Sequence, residues 1–121
     1  MIDNIILFGS TGMLGNYCLN ILQQSYNVIA ITRKDYDIMD NNYDKLTNII
    51  KSYNNSVIIN CAGSIPQRGI NNEMDCFITN SLFPKMLDKI AYQLKIKFIH
   101  ISTNCVFNFT NGNCSKLDII L

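Results

Sequence analysis

The sequence has no long apolar run, no block of like charge and no secretory leader pattern, and each absence excludes a class of protein. No stretch approaches the roughly 18 apolar residues of a membrane-spanning helix. Only 16% of the 121 residues are charged and the net charge is +1, so we expect neither nucleic acid nor a membrane surface as a partner. The first ten residues contain Asp3 and only a brief apolar run, which predicts no signal peptide and a cytoplasmic protein.

Metal and dithiol chemistry also lack their usual motifs. No two of the five cysteines stand as C-x-x-C, so we interpret them as free thiols and expect no metal site. The only histidine, His100, falls inside an apolar run, where we expect it to be structural and not catalytic. The cysteines are Cys18, Cys61, Cys76, Cys105 and Cys114.

What the chain does have is a regular alternation of apolar runs and amphipathic segments. The predicted strands are 4–8, 27–32, 56–63 and 95–103. The predicted helices run from Met13 to Gln24, onward from an N-cap at Asp40, and from Met74 to Leu94 with a kink or split at Pro84. This pattern predicts an α/β fold, a Rossmann-type doubly wound parallel sheet of four to five strands in the order 2-1-3-4, with room for an edge strand near 36–38.

The stretch "FGSTGMLG" (8–15) directly follows the first strand and opens the first helix. In that context three glycines predict a turn that holds a dinucleotide pyrophosphate. Gly9 permits the tight turn, Gly12 lets the phosphates approach the backbone, and Gly15 lets the helix pack on the sheet. The helix N-terminus supplies unpaired N–H groups and a partial positive charge. The alternative is a strand-to-helix turn without a ligand.

The residues after the second strand report on the adenosine ribose of such a cofactor. An acidic residue there accepts the 2′-hydroxyl of NAD, whereas a basic one suits the 2′-phosphate of NADP. This chain has "TRKD", with Arg33 and Lys34, which favours NADP(H). Asp35 and Asp37 keep NAD(H) open.

Together the segments "ILFGSTGMLG", "RKDYDIMD", "VIINCAG", "FITNSLFPKML" and "FIHISTNCVFNFTNGN" resemble dTDP-4-dehydrorhamnose reductase and its sugar-nucleotide relatives, in the extended short-chain dehydrogenase/reductase group. The resemblance covers nearly the whole chain. It implies an oxidoreductase that acts on a dTDP- or UDP-linked 4-keto-6-deoxy sugar. The pyrophosphate would then lie against Gly9, Thr11, Gly12, Met13, Leu14 and Gly15.

The same resemblance assigns roles to residues further along. Arg33, with Lys34 beside it, would meet the 2′-phosphate, and Asp37 and Ile38 would border the adenine. Thr103 would be the catalytic hydroxyl, with Ser102 beside it. The residues implied to line or brace the nicotinamide end of the site are Cys61, Ala62, Gly63 and Asn80.

The substrate side departs from the family pattern. Asn104 replaces the family's aspartate, and "GNCSK" replaces its "G-x-Y-x-E", with Cys114 and Lys116 at the changed places. Both changes fall in the substrate-side loop. Gln67 and Arg68, after the third strand, are candidates for contacting a substrate phosphate, and a solvated loop is an equally good interpretation.

The proton-relay pair of these enzymes, Y-x-x-x-K, is missing, since no lysine here has a tyrosine four residues before it. We therefore interpret residues 1–121 as an NAD(P)-binding Rossmann domain, incomplete relative to the family and without the C-terminal substrate-binding part. The missing half could be lost by truncation, a frameshift or a partial gene, or be supplied by a partner chain. The alternatives are a non-catalytic module, such as a redox sensor or a regulatory subunit, and a fragment of an NAD-dependent epimerase or dehydratase. The edge strand "KFIHIS" would be exposed, which predicts a homodimer or poor solubility.

Overall fold

The computed structural model describes residues 1–65 and 73–102, which form one four-stranded parallel sheet with helices on both faces. The strands are β1 (Asn4–Phe8), β2 (Asn27–Ile31), β3 (Ser56–Asn60) and β4 (Lys97–His100). The helices are α1 (Met13–Leu22), α2 (Tyr43–Lys51), α3 (Glu73–Phe77) and α4 (Phe83–Leu94), with a 3-10 helix over Ile38–Asp40 and a π-helical turn over Ile78–Leu82. The sheet order β2-β1-β3-β4 confirms the predicted α/β fold and its topology.

The main core lies between the sheet and the layer formed by α2 and α4. Alternate side chains of a strand point to opposite faces, so Ile6 and Phe8 of β1 face this layer while Ile5 and Leu7 are buried on the face that carries α1. The residues that α2 and α4 bury in the core include Leu46, Ile50, Phe83, Leu87, Ile90 and Ala91. Both faces of β1 are therefore covered, as the unbroken apolar run of this strand predicted.

The connection between β2 and α2 differs from the prediction in two ways. Asp40 does not cap α2, because it belongs to the 3-10 helix, and the side chain of Asn42 accepts from the Lys45 N–H at 3.0 Å instead. No strand forms at 36–38, since the carboxylate of Asp37 accepts from the Met39 N–H at 3.0 Å and starts the 3-10 helix. Strand β3 also ends at Asn60, three residues earlier than predicted, so that Cys61, Ala62 and Gly63 are loop residues.

The long helical stretch after β3 changes its winding just before Pro84, where the sequence predicted a kink or split. The N–H of Phe83 donates to the carbonyl of Ile78, five residues earlier, which is π-helical pairing. Pro84 then falls in the first turn of α4, where a missing N–H costs little. The wide turn absorbs the proline without interrupting the helical path from Glu73 to Leu94.

Candidate dinucleotide site

A cleft of about 530 Å³ opens at the carboxyl ends of β1, β2 and β3. This volume lies in the usual range for small-molecule sites, and the position is the point where the strand order reverses, at which ligands of such sheets bind. The structure brings to this cleft nine of the residues predicted from sequence: Gly9, Thr11, Gly12, Arg33, Asp37, Ile38, Cys61, Ala62 and Gly63. Those nine come from three separate loops, so their assembly depends on the sheet topology.

The glycine turn is tightly packed at its first and last glycines and open at the middle one. Gly9 has a φ of +79°, and a Cβ there would come within 2.6 Å of the Cys61 carbonyl carbon. A Cβ on Gly15 would overlap the carbonyl group of Gly9. A Cβ on Gly12 would meet only the Gly9 oxygen, at an ordinary 3.5 Å. The fold itself therefore requires glycine at positions 9 and 15, whereas Gly12 leaves space in front of the turn.

The N-terminus of α1 faces this space without a cap of its own. Gly12 is the N-cap residue and no side chain caps the helix, and its first turn contains no acidic residue. The N–H groups of such a turn have no partner within the helix and carry its positive dipole end. Met13 and Leu14 are exposed and do not line the cleft, so their side chains are not part of its wall, and Gly15 lies behind the turn.

The loop after β2 separates its charged residues into two groups. The carboxylate of Asp35 accepts from the backbone N–H of Thr32 at 2.8 Å and from its hydroxyl at 2.9 Å, and these bonds lower the pKa of Asp35 below its usual 3.8. Asp35 thus closes a turn and does not line the cleft, and neither does Lys34. Arg33 and Asp37 do line it. Among the described residues that line the cleft, Arg33 is the one with a basic side chain.

Two asparagines hold the loop after β3. Asn60 is fully buried, and its side-chain oxygen accepts from the Ala62 N–H at 3.1 Å while its amide group lies 3.2 Å from Nδ1 of His100. Asn80, in the π-helical turn, accepts from the Ser64 N–H at 2.8 Å and donates to the Ser64 carbonyl at 2.7 Å. Asn80 does not line the cleft, so it acts by positioning the loop that does.

Sequence reasoning missed several residues of the cleft wall. Ser64, Asp75 and Thr79 line it, and Thr79 is buried in the π-helical turn. Tyr36 also lines it, with its hydroxyl accepting from the Asn42 N–H at 3.0 Å, and burial raises the pKa of this phenol. Nothing local in the sequence marks these positions, because only the packing of α3, the π-helical turn and the loops after β2 and β3 brings them to the cleft.

The predicted catalytic and substrate residues lie mostly beyond what the structure describes. Thr103 and Asn104, together with Gln67 and Arg68, are outside the described residues. Ser102 is exposed just after β4 and does not line the cleft. Within 1–65 and 73–102, no helix is long and apolar enough to cross a bilayer, and no cluster of three metal-ligating side chains is present.

Known structures share this arrangement over almost the whole chain. The dTDP-4-dehydrorhamnose reductase of Yersinia enterocolitica superposes with a TM-score of 0.81 at 24% identity, over 98% of this chain and 42% of that one. The dTDP-4-dehydrorhamnose reductase of Bacillus anthracis, solved in complex with NADP, superposes with a TM-score of 0.77 at 22% identity, over 92% of this chain and 40% of that one. The UDP-rhamnose synthase L780 of Acanthamoeba polyphaga mimivirus superposes with a TM-score of 0.76 at 16% identity, over 92% of this chain and 40% of that one. At these identities the likeness establishes the fold, and the chain spans less than half the length of each.

Fold and cleft together define a Rossmann-type α/β protein with a glycine turn at its switch point. The family model described as the RmlD substrate binding domain matches residues 3–116. The chain therefore belongs to this family, as the resemblance of its motifs indicated. A search among curated proteins finds no match.

Proposed function

We propose that the cleft binds NADP(H) and that the chain is the cofactor-binding part of a sugar-nucleotide oxidoreductase. The observation that carries the proposal is the glycine turn. Gly9 and Gly15 pack it against the sheet, and the missing side chain of Gly12 leaves the uncapped start of α1 open toward the cleft. A pyrophosphate fits this cradle, because the backbone can approach it closely and the helix end carries positive charge.

The loop after β2 supports NADP(H) over NAD(H). Arg33 lines the cleft, and a guanidinium pairs with a phosphate through two parallel hydrogen bonds. The carboxylate of Asp35 is held by Thr32 and does not line the cleft, although Asp37 does. The Bacillus anthracis reductase and the GDP-L-fucose synthetase of Naegleria fowleri were both solved with NADP, which agrees with this choice.

The substrate that we propose is a dTDP- or UDP-linked 4-keto-6-deoxyhexose. NADPH supplies a hydride to the sugar ketone when it is bound. The hydroxyl of Thr103 would hydrogen-bond the ketone oxygen, with Ser102 beside it, and Gln67, Arg68 and Asn104 would contact the substrate. Since no lysine of the chain has a tyrosine four residues before it, the residues 1–121 lack the acid that protonates the alkoxide in the family. We infer that the chain binds the cofactor but does not reduce the ketone alone.

A non-catalytic dinucleotide-binding module is the second candidate, since residues 1–121 contain the glycine turn and no Y-x-x-x-K pair. The two candidates differ in the activity that they predict once NADPH is bound. For the oxidoreductase part, adding a chain that carries the Tyr/Lys pair and the substrate-binding region would produce NADPH oxidation with the keto sugar nucleotide. For the module, NADPH binding would alter the activity of another enzyme without any oxidation at this cleft.

Calorimetric titration of the full chain with NADPH and with NADH tests the binding proposal. We expect NADPH to bind at least 10-fold more tightly, because a charge-assisted contact with a phosphate contributes about 1.5–3 kcal/mol. Arg33→Ala would remove this preference and leave NADH binding unchanged. Lys34→Ala is the matched control, since Lys34 is the adjacent cation and does not line the cleft. Absence of binding by both nucleotides would refute the site, and tighter binding of NADH would refute the role of Arg33.

A further inference from the structure

Two cysteines that are far apart in sequence lie side by side beneath the glycine turn. Cys18 is on α1 and Cys61 directly follows β3, yet their Sγ atoms are 4.0 Å apart and the thiol of Cys61 donates to the sulfur of Cys18. Both residues are half-buried. A disulfide bond is about 2.0 Å long, so the sulfurs need to approach by roughly 2 Å. Cys76, the other cysteine in the described ranges, contacts the Ser64 hydroxyl at 3.6 Å instead.

Backbone contacts of the fold fix the positions of both cysteines. Gly15, one turn before Cys18, packs directly on the Gly9 carbonyl, which holds α1 against the sheet. The N–H of Cys61 donates to the Phe8 carbonyl at 2.9 Å, which continues the pairing of β3 with β1. The fold itself therefore holds the two thiols next to each other.

We propose that Cys18 and Cys61 form a reversible intramolecular disulfide that ties α1 to the loop after β3. The site does not depend on the proposed cofactor. Its oxidant is a hydroperoxide, of which hydrogen peroxide is the simplest. The thiolate of Cys18 attacks one peroxide oxygen, the O–O bond breaks, and the leaving hydroxide takes up a proton to form water.

The second half-reaction closes the bond. The sulfur of Cys61 attacks the sulfenic acid on Cys18, the S–S bond forms as the S–O bond breaks, and the leaving hydroxide combines with the proton from Cys61 as a second water. Two thiols have then lost two electrons and two protons, and one peroxide has become two waters. A dithiol such as dithiothreitol reverses the change by disulfide exchange.

The environment of Cys61 supports this order of attack. Burial raises the pKa of its thiol to about 11, and the neighbouring Cys18 adds to the effect by charge and by hydrogen bonding. Cys61 is thereby kept protonated and reacts slowly with an oxidant from solution, which assigns the first attack to Cys18.

Peptide mapping of the full chain after treatment with hydrogen peroxide tests the proposal. We expect a linked pair of peptides containing Cys18 and Cys61, lighter than the two thiols by two hydrogens and separated again by dithiothreitol. Cys18→Ser and Cys61→Ser should each abolish the linked pair, and Cys76→Ser, the matched control, should retain it. Linkage of Cys18 or Cys61 to any other cysteine in its place, or overoxidation of both without linkage, would overturn the proposal. This readout needs only the wild-type chain, so a variant that fails to fold leaves the test intact.

Thermal unfolding gives an independent readout. A bond between positions 18 and 61 constrains the unfolded chain over a loop that includes β2 and α2, so the oxidised protein should have a higher Tm than the reduced one. Cys76→Ser should show the same rise and Cys61→Ser should not. An oxidised wild-type chain whose Tm equals that of the reduced chain would contradict the proposed cross-link.

Discussion

The carbonyl group of Gly9 occupies the place where a side chain on Gly15 would lie. This contact joins the turn after β1 to the first turn of α1, so the distance of the helix from the sheet is set by the absence of a single methyl group. The N–H of Gly12 donates to the same Gly9 carbonyl at 3.2 Å. One backbone group thus holds both the turn and the helix that starts the candidate site.

Gly15→Ala should destabilise the chain. Forcing a methyl group into this contact costs about 3 kcal/mol, whereas the better helix propensity of alanine returns about 1 kcal/mol, so a loss of about 2 kcal/mol in the free energy of unfolding is expected. Urea denaturation followed by circular dichroism measures it. Stability equal to the wild type would mean that α1 can move away from Gly9 without cost.

Gly12→Ala should leave the stability of the chain nearly unchanged but weaken NADPH binding. A Cβ at this position meets only the Gly9 oxygen at 3.5 Å, and alanine is a poorer N-cap residue than glycine, so the free energy of unfolding should fall by about 1 kcal/mol or less. The methyl group would stand where we propose that the pyrophosphate approaches, so NADPH affinity should fall by about 10-fold or more. Calorimetric titration of this variant beside the wild type separates the two effects. Unchanged NADPH affinity would contradict the role proposed for Gly12.

The sheet order and the glycine turn could be predicted because both depend on local patterns. Four apolar runs alternate with amphipathic segments, and the close packing of the strand-to-helix turn requires glycine at positions 9 and 15. The first residue of α2 could not be predicted from the sequence, because Asp40 and Asn42 are both good N-cap residues. The choice between them depends on the 3-10 helix that Asp37 starts.

The remainder of the cleft depends on contacts between distant segments. Thr79 lines it only because the π-helical turn before Pro84 lies against the loop after β3. The hydrogen bonds between Asn80 and Ser64 join residues that are 16 positions apart in the sequence. No rule of sequence spacing predicts such a contact. The resemblance to the reductases did indicate Asn80, as an asparagine of the long helix that braces the site, and its observed contacts are with the backbone of the loop after β3.

Asn80→Ala should weaken the cleft through this loop. The substitution removes two hydrogen bonds to Ser64, and because Asn80 is exposed, a loss of about 1 kcal/mol in stability is expected. NADPH affinity should also fall, since Gly63 precedes the released residue and lines the cleft. Asn20→Ala is the control, because the side chain of Asn20 bonds only to exposed Asn16 on α1. Equal effects of the two substitutions on affinity would argue against a positioning role for Asn80.

Asp35 should titrate below its usual pKa of 3.8, because the Thr32 backbone N–H, and next its hydroxyl, stabilise the carboxylate. A carboxyl group whose pKa is lowered by folding stabilises the folded state above its unfolded pKa and loses that contribution as the pH falls through the folded value. Thr32→Ala removes the hydroxyl but keeps the N–H, so the pKa should rise part of the way toward 3.8. NMR titration of the side-chain carboxyl carbon measures both values. A wild-type pKa at or above 3.8 would contradict the observed turn.

Strand β4 should make the chain self-associate. In the described part of the sheet β4 is an edge strand, and Ile99 and Ile101 at this edge are each about two-fifths exposed. An unpaired edge with apolar side chains is a template for pairing with another strand. Size-exclusion chromatography with light scattering should therefore show a mass that rises with protein concentration. Ile99→Lys should reduce the association by placing a charge on the strand, whereas Tyr92→Lys, at an exposed position on α4, should not. A monodisperse monomer at every concentration would contradict this prediction, and it would mean that β4 is protected within the chain itself.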